Sequence, residues 1–145
     1  MNWWTRFERL RQLGVLGMNC RNTWCILDLN PRARFPLVDG KLQTADLCRR
    51  IDVPTPEIYG LLSSHSTLRR LPELLAGRTD FVLKPNHGAA GRGVLVIIGR
   101  DGRRFLRHNG DRLELDDLRQ QASEIISGLY SLGGRADELL IQQRV

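Results

Sequence analysis

Long apolar runs are missing from this 145-residue chain. None approaches the roughly 18 residues that a bilayer-spanning helix needs. The start, Met1-Asn2-Trp3-Trp4-Thr5-Arg6, has neither an uninterrupted apolar stretch nor a small-residue cleavage site, so a secretory leader is not expected. Cysteine is scarce. Cys20, Cys25 and Cys48 are odd in number and form no Cys-x-x-Cys pair. A zinc site needs a denser cluster, and His65, His87 and His108 stand apart from the thiols. The expectation is three reduced thiols, a cytoplasmic location and no metal site within these residues. Aromatic residues make up only 6%, and all three tryptophans, Trp3, Trp4 and Trp24, lie in one terminal region. The alternation of basic and aromatic side chains used by single-strand nucleic-acid binders is therefore lacking. Internal repeats and low-complexity segments are absent as well.

What is present suits a folded chain. Hydrophobic residues make up 41%, enough for a core in one domain or two small ones. Lys and Arg total 22 against 16 acids, a net charge of +6. The excess is mostly dispersed arginine and favours an anionic partner, with nucleotide phosphates as one candidate and nucleic acid as another.

Periodicity predicts a helix over 3–13, closed by Gly14, with Trp3 and Trp4 in core or inter-domain packing. A second short helix, capped by Asn22 or Thr23, should end at Asn30-Pro31. Phe35 to Asp39 reads as extended, and Thr44 as preceding a helix through Ala45, Leu47 and Cys48. Strand 57–62 follows the Pro54 and Pro56 turn. Ser66 or Thr67 should cap a helix that Gly77 ends. Phe81 to Lys84 and Val94 to Ile98 read as strands flanking a Gly-rich loop. Asn109-Gly110 signals a hairpin between Arg104–Leu106 and Leu113–Leu115. Asp116 or Asp117 should open a helix that Gly133-Gly134 stops, before a last strand over 138–142. The order is strand, Gly-loop, strand, hairpin, helix, strand, an antiparallel α+β arrangement. The final apolar strand, Leu139-Leu140-Ile141, suggests a fragment whose missing partner covers it, and hence self-association.

The chemistry concentrates in Lys84-Pro85-Asn86-His87-Gly88-Ala89-Ala90-Gly91-Arg92-Gly93-Val94. Its glycines and alanines leave backbone N–H groups open to phosphate oxygens, and Arg92 adds a cation. Walker A is excluded, because Val94 follows Gly93 in place of Lys-Ser/Thr. A dinucleotide fingerprint is excluded because a strand follows the loop. Strand alternation puts Val82 and Lys84 on one face, opposite Phe81 and Leu83, offering an apolar contact for a base and an ammonium for a phosphate. His87 reads as a loop residue facing solvent or phosphate. Asp116, Asp117 and Glu138 read as caps at element starts.

These residues carry a resemblance. Phe81-Val82-Leu83-Lys84-Pro85 with Gly88-Ala89-Ala90-Gly91-Arg92-Gly93 looks like the lid strand and phosphate loop of ATP-grasp enzymes. Asp39-Gly40-Lys41-Leu42-Gln43-Thr44 and Val53-Pro54-Thr55-Pro56 are similar to that superfamily's Asp-Lys helix start and strand entry. Gly40, between Asp39 and Lys41, and Asp52, where Gly is frequent, depart from the pattern. Leu140-Ile141-Gln142-Gln143-Arg144-Val145 resembles the adenine hinge. Gly14-Val15-Leu16-Gly17-Met18-Asn19, Asn30-Pro31-Arg32 and Ser127 to Gly134 look like the alpha-L-glutamate ligase-like branch.

The resemblance implies an α+β fold: an ATP-grasp N-terminal region with an antiparallel-sheet lid subdomain and a Gly-rich phosphate loop. It places an N-terminal helical and linker part at 1–62 and the nucleotide-covering lid, ending at the hinge, at 63–145. It implies that Lys41 and Lys84 contact ATP phosphates and that Gly88, Ala89, Ala90, Gly91, Arg92 and Gly93 cover them. Gln142 would meet the adenine amino group, and the backbones of Gln143 and Val145 its edge. The activity implied is ATP-dependent carboxylate–amine ligation through an acyl phosphate, with Mg2+ ligands expected beyond residue 145. The partners are then ATP, a carboxylate and an amine, with no membrane and no nucleic acid. The alternative is a non-catalytic basic module for nucleic acid or an acidic protein.

Overall fold

The computed structural model describes residues 3–131 and 133–145, with Trp3 as backbone only. The expected packing of Trp3, and Leu132 within the 127–134 segment, lie outside the described residues. The chain forms two compact units, Met1–Val38 and Asp39–Val145.

In the first unit, α1 (Trp3–Gln12) ends at Gly14, whose φ of +79° provides the left-handed stop the sequence predicts. The next helix starts earlier than expected. α2 (Met18–Cys20), N-capped by Gly17, runs directly into a π-helical stretch, Arg21–Leu27. Thr23 is thus interior, its hydroxyl returning to the Asn19 carbonyl at 2.9 Å. Asn30 Nδ2 caps the far end through the carbonyls of Ile26 and Cys25, and Pro31 follows. Trp4 and Trp24 are 75% and 68% exposed, so the expectation of a core Trp4 is overturned. The 35–39 stretch is not extended: α3 (Pro36–Asp39) begins on a proline, whose fixed φ is already helical at a first position.

The second unit is a six-stranded antiparallel sheet in the order β1-β6-β2-β3-β4-β5. It opens with α4 (Lys41–Arg50), N-capped by Gly40 rather than introduced by Thr44. Thr44 is accommodated inside because its hydroxyl bonds the Gly40 carbonyl at 3.0 Å. β1 (Ile58–Leu62) follows the proline turn. Ser64, not Ser66 or Thr67, caps a 3-10 helix, His65–Arg70, which passes into α5 (Leu71–Leu74). β2 (Phe81–Pro85), β3 (Leu95–Asp101), β4 (Arg104–Arg107) and β5 (Arg112–Leu113) form a meander. The Asn109-Gly110 turn is closed by Asn109 Oδ1 accepting the Asp111 N–H at 3.2 Å.

α6 (Leu115–Ile126) is capped by Glu114, with Asp117 Oδ2 accepting the Glu114 N–H at 2.7 Å; the aspartates lie within the first turn. Leu118, Ala122, Ile125 and Ile126 recur at helical spacing and are buried. The helix stops before Gly133. Gly128 takes φ +84°, and a Cβ there would meet the Arg135 carbonyl oxygen at 2.1 Å, so only glycine fits. β6 (Leu139–Gln142) lies between β1 and β2. Leu139, Leu140 and Ile141 are at most 1% exposed. That corrects the expected uncovered terminal strand: insertion into the middle of the sheet satisfies both of its edges, and the self-association argued from it loses its ground. The apolar layer between sheet and α6 contains Phe81, Leu83, Ile97, Phe105, Leu118, Ile125 and Ile141, with Phe81 and Phe105 edge to face at 5.7 Å.

Candidate functional site

Alternation along β2 sorts its side chains. Phe81, Leu83 and Pro85 are buried, while Val82 and Lys84 are half-buried on the other face. Antiparallel register adds β6 to that face. Val82 stands opposite Gln142, and Lys84 opposite Leu140. One face therefore carries Val82 and Gln142 together, with Lys84 about 7 Å further along the strand.

Lys41 reaches the same end of β2. Its Nζ donates to the carbonyls of Asn86 at 3.0 Å and Gly88 at 2.8 Å. Lys41 and Lys84 are the only lysines in the sequence. Burial lowers the pKa of both. The positive charge of Lys41 lowers Lys84 further, whereas Asp137 partly counteracts the effect of burial on Lys41. Two ammonium groups thus share a partly desolvated region, an arrangement that an intervening anion would relieve.

Asn86 fixes the geometry. It is fully buried, and its Oδ1 accepts the Leu42 N–H at 3.0 Å, tying the start of α4 to the end of β2. Its Nδ2 donates to Glu138 Oε2 at 2.9 Å, and its N–H to the Glu138 carbonyl at 2.9 Å. Beside it, Asp137 has a fully buried side chain. The carboxylate accepts the His87 N–H at 3.0 Å and the Glu138 N–H at 2.8 Å, and lies 2.8 Å from His87 Nδ1. Glu138 is thus a partner of Asn86, a role beyond the strand-start cap read from the sequence. Sequence reading misses Asn86 and Asp137. The missing signal is register: pairing Pro85 with Leu139 brings residues 86 and 87 beside 138 and 137.

Residues 86–94 connect β2 to β3. Ala90, Gly91 and Gly93 have φ of +55°, +70° and +73°. Ala90 holds this conformation without glycine's freedom, a local strain. The base of the loop is anchored by a bridge from Gly88 to Ser131 and by Gln121 Nε2 donating to the Gly93 carbonyl at 3.2 Å. The Tyr130 ring lies over Gly93, where a Cβ would come within 2.5 Å of it. Ala90, Gly91 and Arg92 are exposed at the tip, with Ala89 half-buried.

At the other end of the face, the Gln142 Nε2 donates only a long bond, 3.4 Å, to the Gln143 carbonyl. Gln143 is engaged with Glu57. Its N–H donates to the Glu57 carbonyl at 2.8 Å, and its Oε1 accepts the Glu57 N–H at 3.2 Å. Val145 is 97% exposed. The structure thus brings Lys41 to the Lys84 end of β2 and sets Gln142 across from Val82.

Among the described residues no group of three or more His, Cys, Asp or Glu side chains could hold a metal ion. Asp137 already accepts the N–H groups of His87 and Glu138. Cys20, Cys25 and Cys48 are free thiols. No described helix is long and apolar enough to cross a membrane. An open cleft of about 440 Å³ lies in the first unit, between Phe7 and Leu10 of α1 and Val15 to Cys20. It holds Arg11 but no convergent set of polar groups.

Comparison with known proteins bears on the second unit and the latter half of the first. Residues 20–145 match the family model described as sugar-transfer associated ATP-grasp. No curated protein and no solved structure matches the chain. The match spans Lys41, Lys84, the 86–94 loop and Gln142, and covers far more than half of the sequence. This chain belongs to the sugar-transfer associated ATP-grasp family, and through it to a superfamily of ATP-dependent ligases.

Proposed function

We propose that the second unit binds ATP on the face shared by β2 and β6, as part of a carboxylate–amine ligase. The observation that carries this reading is the meeting of Lys41 and Lys84 at the base of the 88–93 loop. In this reading the triphosphate lies between the two ammonium groups, and Gly88, Ala89, Ala90, Gly91, Arg92 and Gly93 close over it. The adenine packs on Val82. The Gln142 amide meets its amino group, and the Gln143 carbonyl with the Val145 N–H reads its edge. The Gln143 N–H is already committed to Glu57, which leaves the carbonyl as that residue's contact. Residues 63–145, together with β1, act as the nucleotide-covering lid. Magnesium would enter with the triphosphate.

The reaction follows from these roles. A substrate carboxylate oxygen attacks the γ-phosphorus, the bond to the β-phosphate oxygen breaks, and ADP leaves. An amine nitrogen then attacks the acyl phosphate carbon, inorganic phosphate leaves, and the nitrogen loses a proton. The chain's contribution is positioning and charge neutralisation of the transferred phosphoryl group. A glutamate-type acceptor is what the likeness of Gly14–Asn19 and Ser127–Gly134 supports. The family description links such domains to sugar transfer and names no acceptor, so carboxylates borne on sugars are a second class to compare with it.

Calorimetric titration with ATP, GTP and adenosine tests the binding reading. Binding that prefers adenine and persists at raised salt supports it. Binding of any polyanion, indifferent to the base and collapsing with salt, would favour a generic basic module instead. Trapping with hydroxylamine tests the chemistry: ATP with the correct carboxylate should yield a hydroxamate, and the acceptor panel then ranks glutamate against sugar acids.

A further inference from the structure

The buried Asp137 and the half-exposed His87 form a pair that the nucleotide reading does not use. Asp137 has no exposed side-chain surface, and its carboxylate is engaged by three donors: the backbone N–H groups of His87 and Glu138 and the His87 ring all converge on it. With Nδ1 donating to Asp137 at 2.8 Å, the neutral ring keeps its lone pair on Nε2. That nitrogen has no hydrogen-bond partner among the described residues, and the side chain is 47% exposed. The ring belongs to the same turn that holds Lys41, since Lys41 Nζ grips the carbonyls on either side of it, at Asn86 and Gly88.

We infer that His87 is a proton-coupled contact for the terminal phosphate of a nucleoside triphosphate, with Asp137 as the residue that orients it. This rests on the functional reading above and adds to it a residue, a proton and a pH dependence. The charged groups on the neighbouring elements are Asp137 and Glu138, ahead of β6, and Lys41 on α4, Lys84 on β2 and Arg92 on the loop. A triphosphate neutralises the three cations and adds negative charge of its own. The ring then takes a proton from water at Nε2 and donates it to a phosphate oxygen, while Asp137 stabilises the imidazolium from behind. A diphosphate, shorter by the group nearest the ring, gains less from the same proton.

Titration calorimetry of the full chain with ATP and ADP, run over about pH 6 to 8 in buffers of different ionisation enthalpy, reads this directly. ATP binding should take up a fraction of a proton within that range and tighten on acidification, by at most about tenfold per pH unit for one linked proton. ADP should show a smaller uptake. His87→Asn keeps an N–H directed at Asp137 and removes the outer nitrogen, so it should bind ATP with less proton uptake than the parent, the remainder coming from the phosphate and the two lysines. Asp137→Asn should lower the uptake, and nitrogen NMR of the His87 ring gives a readout that does not depend on that variant folding. The ring should show the Nδ1–H form without ligand and the imidazolium with ATP. ATP binding whose proton uptake is undiminished by His87→Asn overturns this inference and leaves the functional reading intact. An Nε2–H ring in the free protein overturns it as well. Absence of ATP binding by the unaltered chain overturns both.

Discussion

Replacing Lys84 by Met separates the cost of the two-lysine arrangement from its use. Lys84 is half-buried on the β2 face, with a folded pKa below the ordinary 10.5 because of burial and then the charge of Lys41. The direction of the effect on stability follows. Between the lowered value and 10.5 the unfolded chain binds more protons than the folded one, so stability should rise with pH through that window. Below the window the full penalty is present. Near neutral pH the ligand-free protein therefore carries the cost of both ammonium groups. Methionine retains most of the apolar stem and removes the charge. Urea denaturation near neutral pH should show the ligand-free variant to be more stable than the parent, and its alkaline rise should be smaller. Binding should move the opposite way. A charge-assisted contact to phosphate is worth about 1.5–3 kcal/mol, so ATP affinity should fall about ten- to a hundredfold while adenosine is unaffected. Calorimetry on the same samples checks this. A variant that is less stable without ligand, or that binds ATP as before, would refute the reasoning.

Other changes test separate parts of the site. Gln142→Ala should weaken ATP and adenosine alike and reduce the preference for ATP over GTP, read by the same titrations. Arg92→Ala should resemble Lys84→Met in direction but be milder, because an exposed loop tip loses more entropy on ordering. Asn86→Ala removes a buried amide and leaves the Leu42 N–H and the Glu138 carboxylate without their partner, so denaturation should show a loss on the order of 2–3 kcal/mol. Gly91→Ala and Gly93→Ala share a positive φ, yet should differ. At Gly91 the space is open and the cost is backbone strain of about 1–2 kcal/mol, whereas at Gly93 the new methyl also displaces Tyr130 and should weaken ATP further.

The legibility of this chain in its sequence tracks the range of the interactions involved. Phe81 to Lys84 is readable because alternation alone decides which side chains meet the core, and the Asn109-Gly110 turn because the local backbone demands those residues. The two-faced strand with Lys84 beside Val82 is legible for the same reason. Element starts are read less well. Gly40, Ser64 and Glu114 are the caps in place of Thr44, Ser66 or Thr67, and the aspartates at 116 and 117, since several polar residues compete within one turn and tertiary packing chooses among them. Helix α3 is misread because Pro36 suits both an extended segment and a first helical turn. The final strand shows the largest gap. Nothing local says that Leu139–Ile141 inserts between β1 and β2, a pairing across about eighty residues for β1. That same insertion creates the contacts of Asn86 with Glu138 and His87 with Asp137, so the parts of the site that depend on it are invisible until the register is known.

Backbone amide NMR of the full chain during titration with ATP, and then with adenosine, tests the central claim most directly. The account predicts that ATP shifts the amides of Gly88 to Gly93 together with those of Lys84 and Gln142 to Val145. Adenosine should shift the Gln142 to Val145 group and leave the loop unmoved. Shifts from ATP confined to other surfaces, or a loop that responds equally to adenosine, would contradict it.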